Sequence, residues 1–210
     1  YAIQFVKQTP DFDGSPIVLF GHSLGGYSVG SVLNLHPDVK AVVMVAGFDK
    51  SIDIIEEEGE KIAGDRIHVL LPYISLYERI KFGKYASYNS INGFENSDSG
   101  VMIIYSLDDE MISQEKSFDI FHRIYMEDDR FNFVKFEDRG HDYIFYSDRS
   151  REYKEDFNRK FDDYLNSTDE EFTAELKSSY LNNNLDKKLL YDIDEELMNN
   201  IVRFYDEHVK

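Results

Sequence analysis

The chain has 210 residues, enough for one domain or one domain with a sizeable insertion, and folding at that length buries roughly 70% of the unfolded surface. Its formal charge of −18, from 41 acidic against 23 basic side chains, argues against binding nucleic acid or an anionic membrane surface. The absence of cysteine excludes a disulfide framework, a thiolate nucleophile and a Cys-based metal site. An apolar fraction of 42%, with 15 Tyr and 16 Phe, is that of a chain with a core. No stretch approaches the ~18–20 apolar residues of a membrane span, and the first residues are not a signal segment. A soluble, cytoplasmic protein is therefore the expected setting.

In chain order, Pro16-Ile17-Val18-Leu19-Phe20 is a short apolar run that predicts a buried parallel strand. Residues 24–35 follow with helical spacing, and His36-Pro37 stops them. Residues 39–46 predict a second buried strand and residues 101–105 a third. Ser113 is placed to cap a helix containing Phe118, Phe121, Ile124 and Tyr125, and residues 131–136 read as a fourth strand. This alternation implies a parallel sheet flanked by helices, an α/β fold. Two stretches interrupt it. Residues 48–99 are too long for one crossover helix, and residues 147–190 are strongly charged and helical in pattern, with Thr168-Asp169-Glu170-Glu171 as a capping box. Leu197, Ile201, Phe204 and Tyr205 form one stripe of a last helix expected to pack on the sheet.

The chemistry concentrates in Gly21-His22-Ser23-Leu24-Gly25-Gly26, which sits between a predicted strand and a predicted helix. A serine on that sharp turn needs strained backbone angles and neighbours two residues away without side chains, a demand that Gly21 and Gly25 meet. The turn aims the Leu24 N–H, at a helix N-terminus, toward a developing oxyanion. A hydroxyl needs a base, and the base an orienting acid. Of six histidines, His141 in Asp138-Arg139-Gly140-His141-Asp142 follows the fourth strand at the edge shared with Ser23. His22 is expected to point away from the direction of attack. The loop after the third strand offers Asp108, Asp109 and Glu110, with Asp109 favoured because the next helix begins at Met111-Ile112-Ser113 and leaves it at the turn apex. Carboxylate clusters such as Glu56-Glu57-Glu58 lack calcium-loop spacing, and neither a metal site nor a cofactor motif is read.

On the GHSLGG, SLDDEMIS and RGHDY segments, the chain resembles the α/β-hydrolase superfamily, in particular its lysophospholipase-like and serine-aminopeptidase-like branch. The resemblance implies Ser23 as nucleophile, Asp109 as acid, His141 as base, and no cofactor. It also implies a helical cap over the pocket formed by residues 48–99, with 147–190 a charged helical insertion in a single 1–210 domain. Residues 1–8 resemble the helix that leads into the nucleophile strand, so the expected chain is the C-terminal half of the fold, partial at its N-terminus. That reading leaves the strand at residues 17–20 as an open edge, available for self-association, and removes one oxyanion donor, so activity would be impaired.

The expected function is hydrolysis of an ester on a small acyl substrate through a Ser-His-Asp acyl-enzyme, carboxylesterase- or lysophospholipase-like. Tyr73 and Tyr77 in the cap are substrate-binding candidates. A serine peptidase or acyltransferase of the same fold remains an alternative, as does a non-catalytic binding protein.

Overall fold

The apolar runs become one four-stranded sheet. Its strands are β1 (Val18–His22), β2 (Ala41–Val45), β3 (Gly100–Ser106) and β4 (Phe131–Phe136), all parallel and in the order β1-β2-β3-β4. The structure is a computed structural model that describes residues 1–167 and 173–209. The proposed capping box at 168–171 lies outside the described residues. The helices are α1 (Ala2–Gln8), α2 (Leu24–Ser31), α3 (Ser51–Ala63), α4 (Ile67–Phe82), α5 (Ser90–Glu95), α6 (Phe118–Tyr125), α7 (Asp148–Ser167), α8 (Ala174–Asn184), α9 (Lys187–Leu190) and α10 (Glu195–His208). None is long and apolar enough to cross a membrane.

β2 and β3 are buried along their whole length, which is why they read as unbroken apolar runs rather than alternating ones. Val42, Met44, Val101, Ile103 and Tyr105 join Val29 and Leu33 of the α2 region, Phe94 of α5 and Phe121 of α6 in one core. Alternate residues Val43, Val45, Met102 and Ile104 face the other way and are equally buried. On that face the Tyr205 hydroxyl of α10 donates to the Leu19 carbonyl at 2.7 Å. A Cβ added to Gly100 would lie 2.2 Å from the His208 ring, so glycine is what lets α10 approach the start of β3. The expected packing of the last helix on the sheet is thus met.

Registers differ from the sequence expectation in three places. β1 runs to His22, because Gly21 and His22 pair with Met44 and Val45 and carry the strand into the elbow. α2 gives way at Val32 to a 3₁₀ turn before His36-Pro37. Ser113 does not cap α6, whose N-cap is Ser117. Ser113 is held elsewhere: its N–H and hydroxyl both donate to the Glu57 carboxylate, at 2.9 and 3.0 Å. Ser117 in turn donates to the Gly47 carbonyl at 2.5 Å.

The chain divides into two compact units, residues 1–144 with 201–210, and residues 145–200. In the first, among the described residues, β1 pairs on one side only, with β2, and Phe20 is 46% exposed. The stems of the long interruption meet there: the Ser90 hydroxyl donates to the Phe48 carbonyl at 3.0 Å, and the Asp49 carboxylate accepts the Ile91 N–H at 2.8 Å. What leaves the body is therefore the stretch between those stems. α5 has already rejoined the core, where the Phe94 ring meets Phe121, Tyr125 and Phe131 edge-on. Its contact with α2 is backbone against backbone, since a Cβ on Gly93 would sit 2.1 Å from the Gly30 carbonyl oxygen.

The second unit contains α7, α8 and α9. Tyr153, Phe157, Phe161 and Tyr164 recur at three- and four-residue spacing along α7, and the last three meet Tyr180 of α8. The Ser150 hydroxyl donates to the Leu190 carbonyl at 2.6 Å, and the Tyr153 hydroxyl accepts the Asp186 N–H at 2.7 Å.

Candidate active site

Parallel pairing brings the carboxyl ends of all four strands to one edge: His22 lies beside Val45, Val45 beside Ile104, and Ser106 beside Phe136. The loops that follow emerge together. Ser23 is the first residue past β1, and its backbone is strained, with φ 57° and ψ −120°, a region that L residues rarely occupy. The strain is held from both sides. Its N–H donates to the Val45 carbonyl at 2.8 Å, and its carbonyl accepts the Tyr27 N–H as α2 begins. A Cβ at Gly21 would fall 2.1 Å from the Gly25 carbonyl oxygen, so glycine is obligatory there. Gly25 itself faces open space; the second obligatory glycine is Gly26, whose Cβ would reach within 2.8 Å of the Gly47 backbone. The elbow is thus fixed by Gly21 and Gly26 where the sequence pattern pointed to Gly21 and Gly25. Leu24, the first residue of α2, has an N–H with no acceptor inside the helix.

At the end of β3, two adjacent aspartates do different work. The Asp109 side chain is fully buried; one oxygen accepts the N–H groups of Met111 and Ile112, and the other lies 2.8 Å from Nδ1 of His141. A carboxylate oxygen accepts, so Nδ1 is the donor in this contact. Asp108 instead organises the loop that carries His141. It accepts the Ser106 hydroxyl at 2.5 Å and the Gly140 N–H at 2.8 Å, while the Ser106 oxygen accepts the Arg139 N–H. Burial works against the Asp108 charge, but these hydrogen bonds outweigh it and hold its carboxyl below the usual range. Gly140, at φ 58°, supplies the left-handed residue that turns the chain into His141.

His22 departs from its expected orientation. Its Nε2 donates to the His141 carbonyl at 2.8 Å, and the two rings lie 4.8 Å apart. Burial is the largest influence and lowers its pKa from the ordinary value, outweighing the hydrogen bond to the His141 carbonyl, which acts the other way. Because His22 precedes Ser23 directly, this contact places the His141 loop against the elbow. No hydrogen bond joins the Ser23 hydroxyl to His141 among the described residues; such bonds commonly tighten only when substrate is bound.

The acid loop is also tied to α3. Besides the two bonds to Glu57, the Lys61 ammonium donates to the Glu110 carbonyl at 2.9 Å, and Lys116 donates to Glu56 at 2.8 Å. Of the remaining histidines, His36 lies by Lys7, His122 stacks on Phe118 and His208 lies against Phe204. His68 sits between Glu56 and Glu60 at 3.3 Å from each, in a group that could approach a cation; His22, His141 and Asp142 form a second such group. In the first, both ring nitrogens already face carboxylates and Lys116 shares Glu56, the pattern of an ion-pair network.

A cavity of about 350 Å³ lies along α2, walled by Tyr27, Phe82, Tyr85 and Tyr88 with Ser51 and Glu78. Tyr73 and Tyr77, the aromatic pair expected to touch substrate, are 69% and 58% exposed on α4, on one stripe with Val69 and Ile80, and line no part of it. The rings that do line it belong to the end of α4, the turn after it and α2. Tyr27 among them lies four residues past Ser23 on the helix after the elbow, and that spacing is its sequence signal.

The prolyl oligopeptidase family matches residues 1–171. Among solved structures, the chain is similar to acetyl xylan esterase 1 from a Thermoanaerobacterium species, at 19% identity over 67% of this chain and 45% of that one, TM-score 0.48. It is similar to acylaminoacyl peptidase of Pyrococcus horikoshii at 19% identity over 83% of this chain and 28% of that one, TM-score 0.48. An esterase of Pyrococcus furiosus matches at 12% identity over 79% of this chain and 58% of that one, TM-score 0.47. The chain therefore spans under half the length of the first two. No match was found among curated proteins. With the family matching four-fifths of its length, the chain belongs to the prolyl oligopeptidase family, serine hydrolases of the α/β-hydrolase superfamily.

Proposed function

We propose that the chain carries out acyl transfer to water, cleaving a carboxylic ester through a covalent acyl-enzyme, with Ser23 as nucleophile, His141 as base and Asp109 as the acid that orients it. The observation that supports this most is the 2.8 Å contact between buried Asp109 and His141 Nδ1 at the sheet edge where Ser23 is held in a strained turn. In this reading His141 Nε2 takes the Ser23 proton as the oxygen attacks the carbonyl carbon. The Leu24 N–H, at the positive end of α2, stabilises the oxyanion. His141 then protonates the leaving group and activates the water that releases the acid, while Asp109 fixes its tautomer and stabilises its cation. Residues 50–89, between the hydrogen-bonded stems, act as the cap.

Peptidase activity on an amide is the second reading, favoured by the family itself. Labelling with a fluorophosphonate tests the chemistry common to both: Ser23→Ala should abolish it, and Asp109→Asn should slow it by about 10⁴-fold, the usual consequence of a misheld tautomer. Equal labelling of Ser23→Ala would end the proposal. Aminoacyl naphthylamides cleaved in preference to p-nitrophenyl esters would replace the first reading by the second.

A further inference from the structure

We infer that the cavity along α2 binds an ammonium group carried on a small apolar body, with Glu78 as counter-ion and the rings of Tyr27, Phe82, Tyr85 and Tyr88 as walls. At about 350 Å³ it lies near the lower end of the ~300–1,000 Å³ range of small-molecule sites, so the occupant is small. Its walls are pre-set. Tyr27 stacks on Phe48 at 5.1 Å and donates its hydroxyl to the Tyr88 carbonyl at 3.0 Å, and Tyr85 meets Tyr88 edge-on at 5.6 Å.

Within this apolar lining stands one carboxylate. The partner of Glu78 is the Ser51 hydroxyl at 3.1 Å, and among the described residues no Lys, Arg or His pairs with it. Two lysines near the lining lie over its rings: Lys81 is 5.4 Å from the Phe82 centroid and Lys84 5.5 Å from that of Tyr85. A carboxylate without a cation, beside aromatic rings that attract ammonium groups, selects a cationic ligand over its neutral isostere. The net charge of −18 raises the local concentration of cations further. Ser31 adds a polar group without a partner among the described residues: the residue is 7% exposed, its hydroxyl finds no hydrogen bond there, and it belongs to the cavity lining.

The position links the cavity to the chemistry. The Tyr27 N–H donates to the Ser23 carbonyl, so the backbone of this wall residue lies one helical turn along α2 from that of Ser23. Resting on the reading of Ser23 as nucleophile, the cavity holds the amino-substituted part of the substrate, one short apolar segment from the scissile carbonyl.

The test separates the two claims. Titration of the full chain with 2-phenylethylammonium and with 2-phenylethanol should show the cation bound about tenfold more tightly, with the preference lost in Glu78→Gln and both ligands weakened in Tyr85→Ala. Equal binding of cation and alcohol, or a preference that survives Glu78→Gln, overturns the site. The kcat/KM ratio for p-nitrophenyl esters of phenylalanine over 3-phenylpropionate should likewise fall from about ten to about one in Glu78→Gln. Glu78-dependent cation binding without fluorophosphonate labelling would sink the hydrolase reading and leave the site standing. Labelling without any Glu78-dependent preference would do the reverse.

Discussion

The two long interruptions of the α/β alternation are both helical and both rich in Tyr and Phe, yet they are built on different principles. The stretch leaving at Asp49 returns through α5 into the central core and reaches the acid loop through Glu56, Glu57 and Lys61. Its contacts run outward from itself, to sheet, elbow helix and loop. The stretch from Asp148 to Leu190 turns its rings on each other, Tyr153 against Phe157 and Phe157, Phe161 and Tyr164 against Tyr180, and bonds its own ends together. Similar composition therefore serves opposite ends: one insertion is continuous with the core that carries Ser23, and the other lies in a compact unit of its own.

That contrast can be broken at defined positions. Gly93→Val should have the largest effect, more than ~3 kcal/mol, because the clash is with the Gly30 backbone, which cannot rotate away. Thermal unfolding and Ser23 labelling should both collapse, and a stable, fully labelled variant would contradict the packing described for α2 and α5. Phe157→Ala should cost about 3 kcal/mol, but within residues 148–190. Hydrogen exchange there should accelerate while Ser23 labels at the unchanged rate; a parallel loss of labelling would show that the second unit is not independent.

Smaller still is the effect of Glu57→Ala, which removes both bonds to Ser113. A loss of about tenfold in labelling rate is expected, with partial rescue by Glu57→Gln, since hydrogen bonds to a charged acceptor are worth ~1.5–3 kcal/mol. An unchanged rate would mean that the acid loop holds itself without α3.

The smallest effect is that of pH on His22. Its folded-state pKa lies below the ordinary 6.5, so the stability contributed by the neutral ring is complete above that pH and is lost as pH falls through the lowered value. The drop in melting temperature from pH 7 to pH 5 should be shallower in His22→Gln than in the parent, and identical slopes would remove His22 from the account.

Much of the site was legible in the chain, for a local reason. Gly21, Ser23 and Leu24 act within one turn, and His141 and Asp109 each follow a strand whose apolar run is unmistakable, so strand order alone sent them to one edge. Less visible were partners that no spacing encodes. Asp108 and Asp109 are equivalent as letters; only the folded loop aims one at His141 and the other at Gly140. The polar end of β3 at Ser106, fully buried after five apolar residues, was the one hint of that arrangement.

The sequence by itself determined the parallel sheet, the elbow and the placing of Ser23, Asp109 and His141 after successive strands, because periodicity and the conformational freedom of glycine are properties of short segments. Tertiary structure alone decided that Gly26 rather than Gly25 seats the elbow, that α5 belongs to the core, and that Glu78 faces Tyr27 and Tyr85 across a cavity. Those outcomes depend on which backbones approach each other across dozens of residues, and close approach in space leaves no mark on the spacing of residues in the chain.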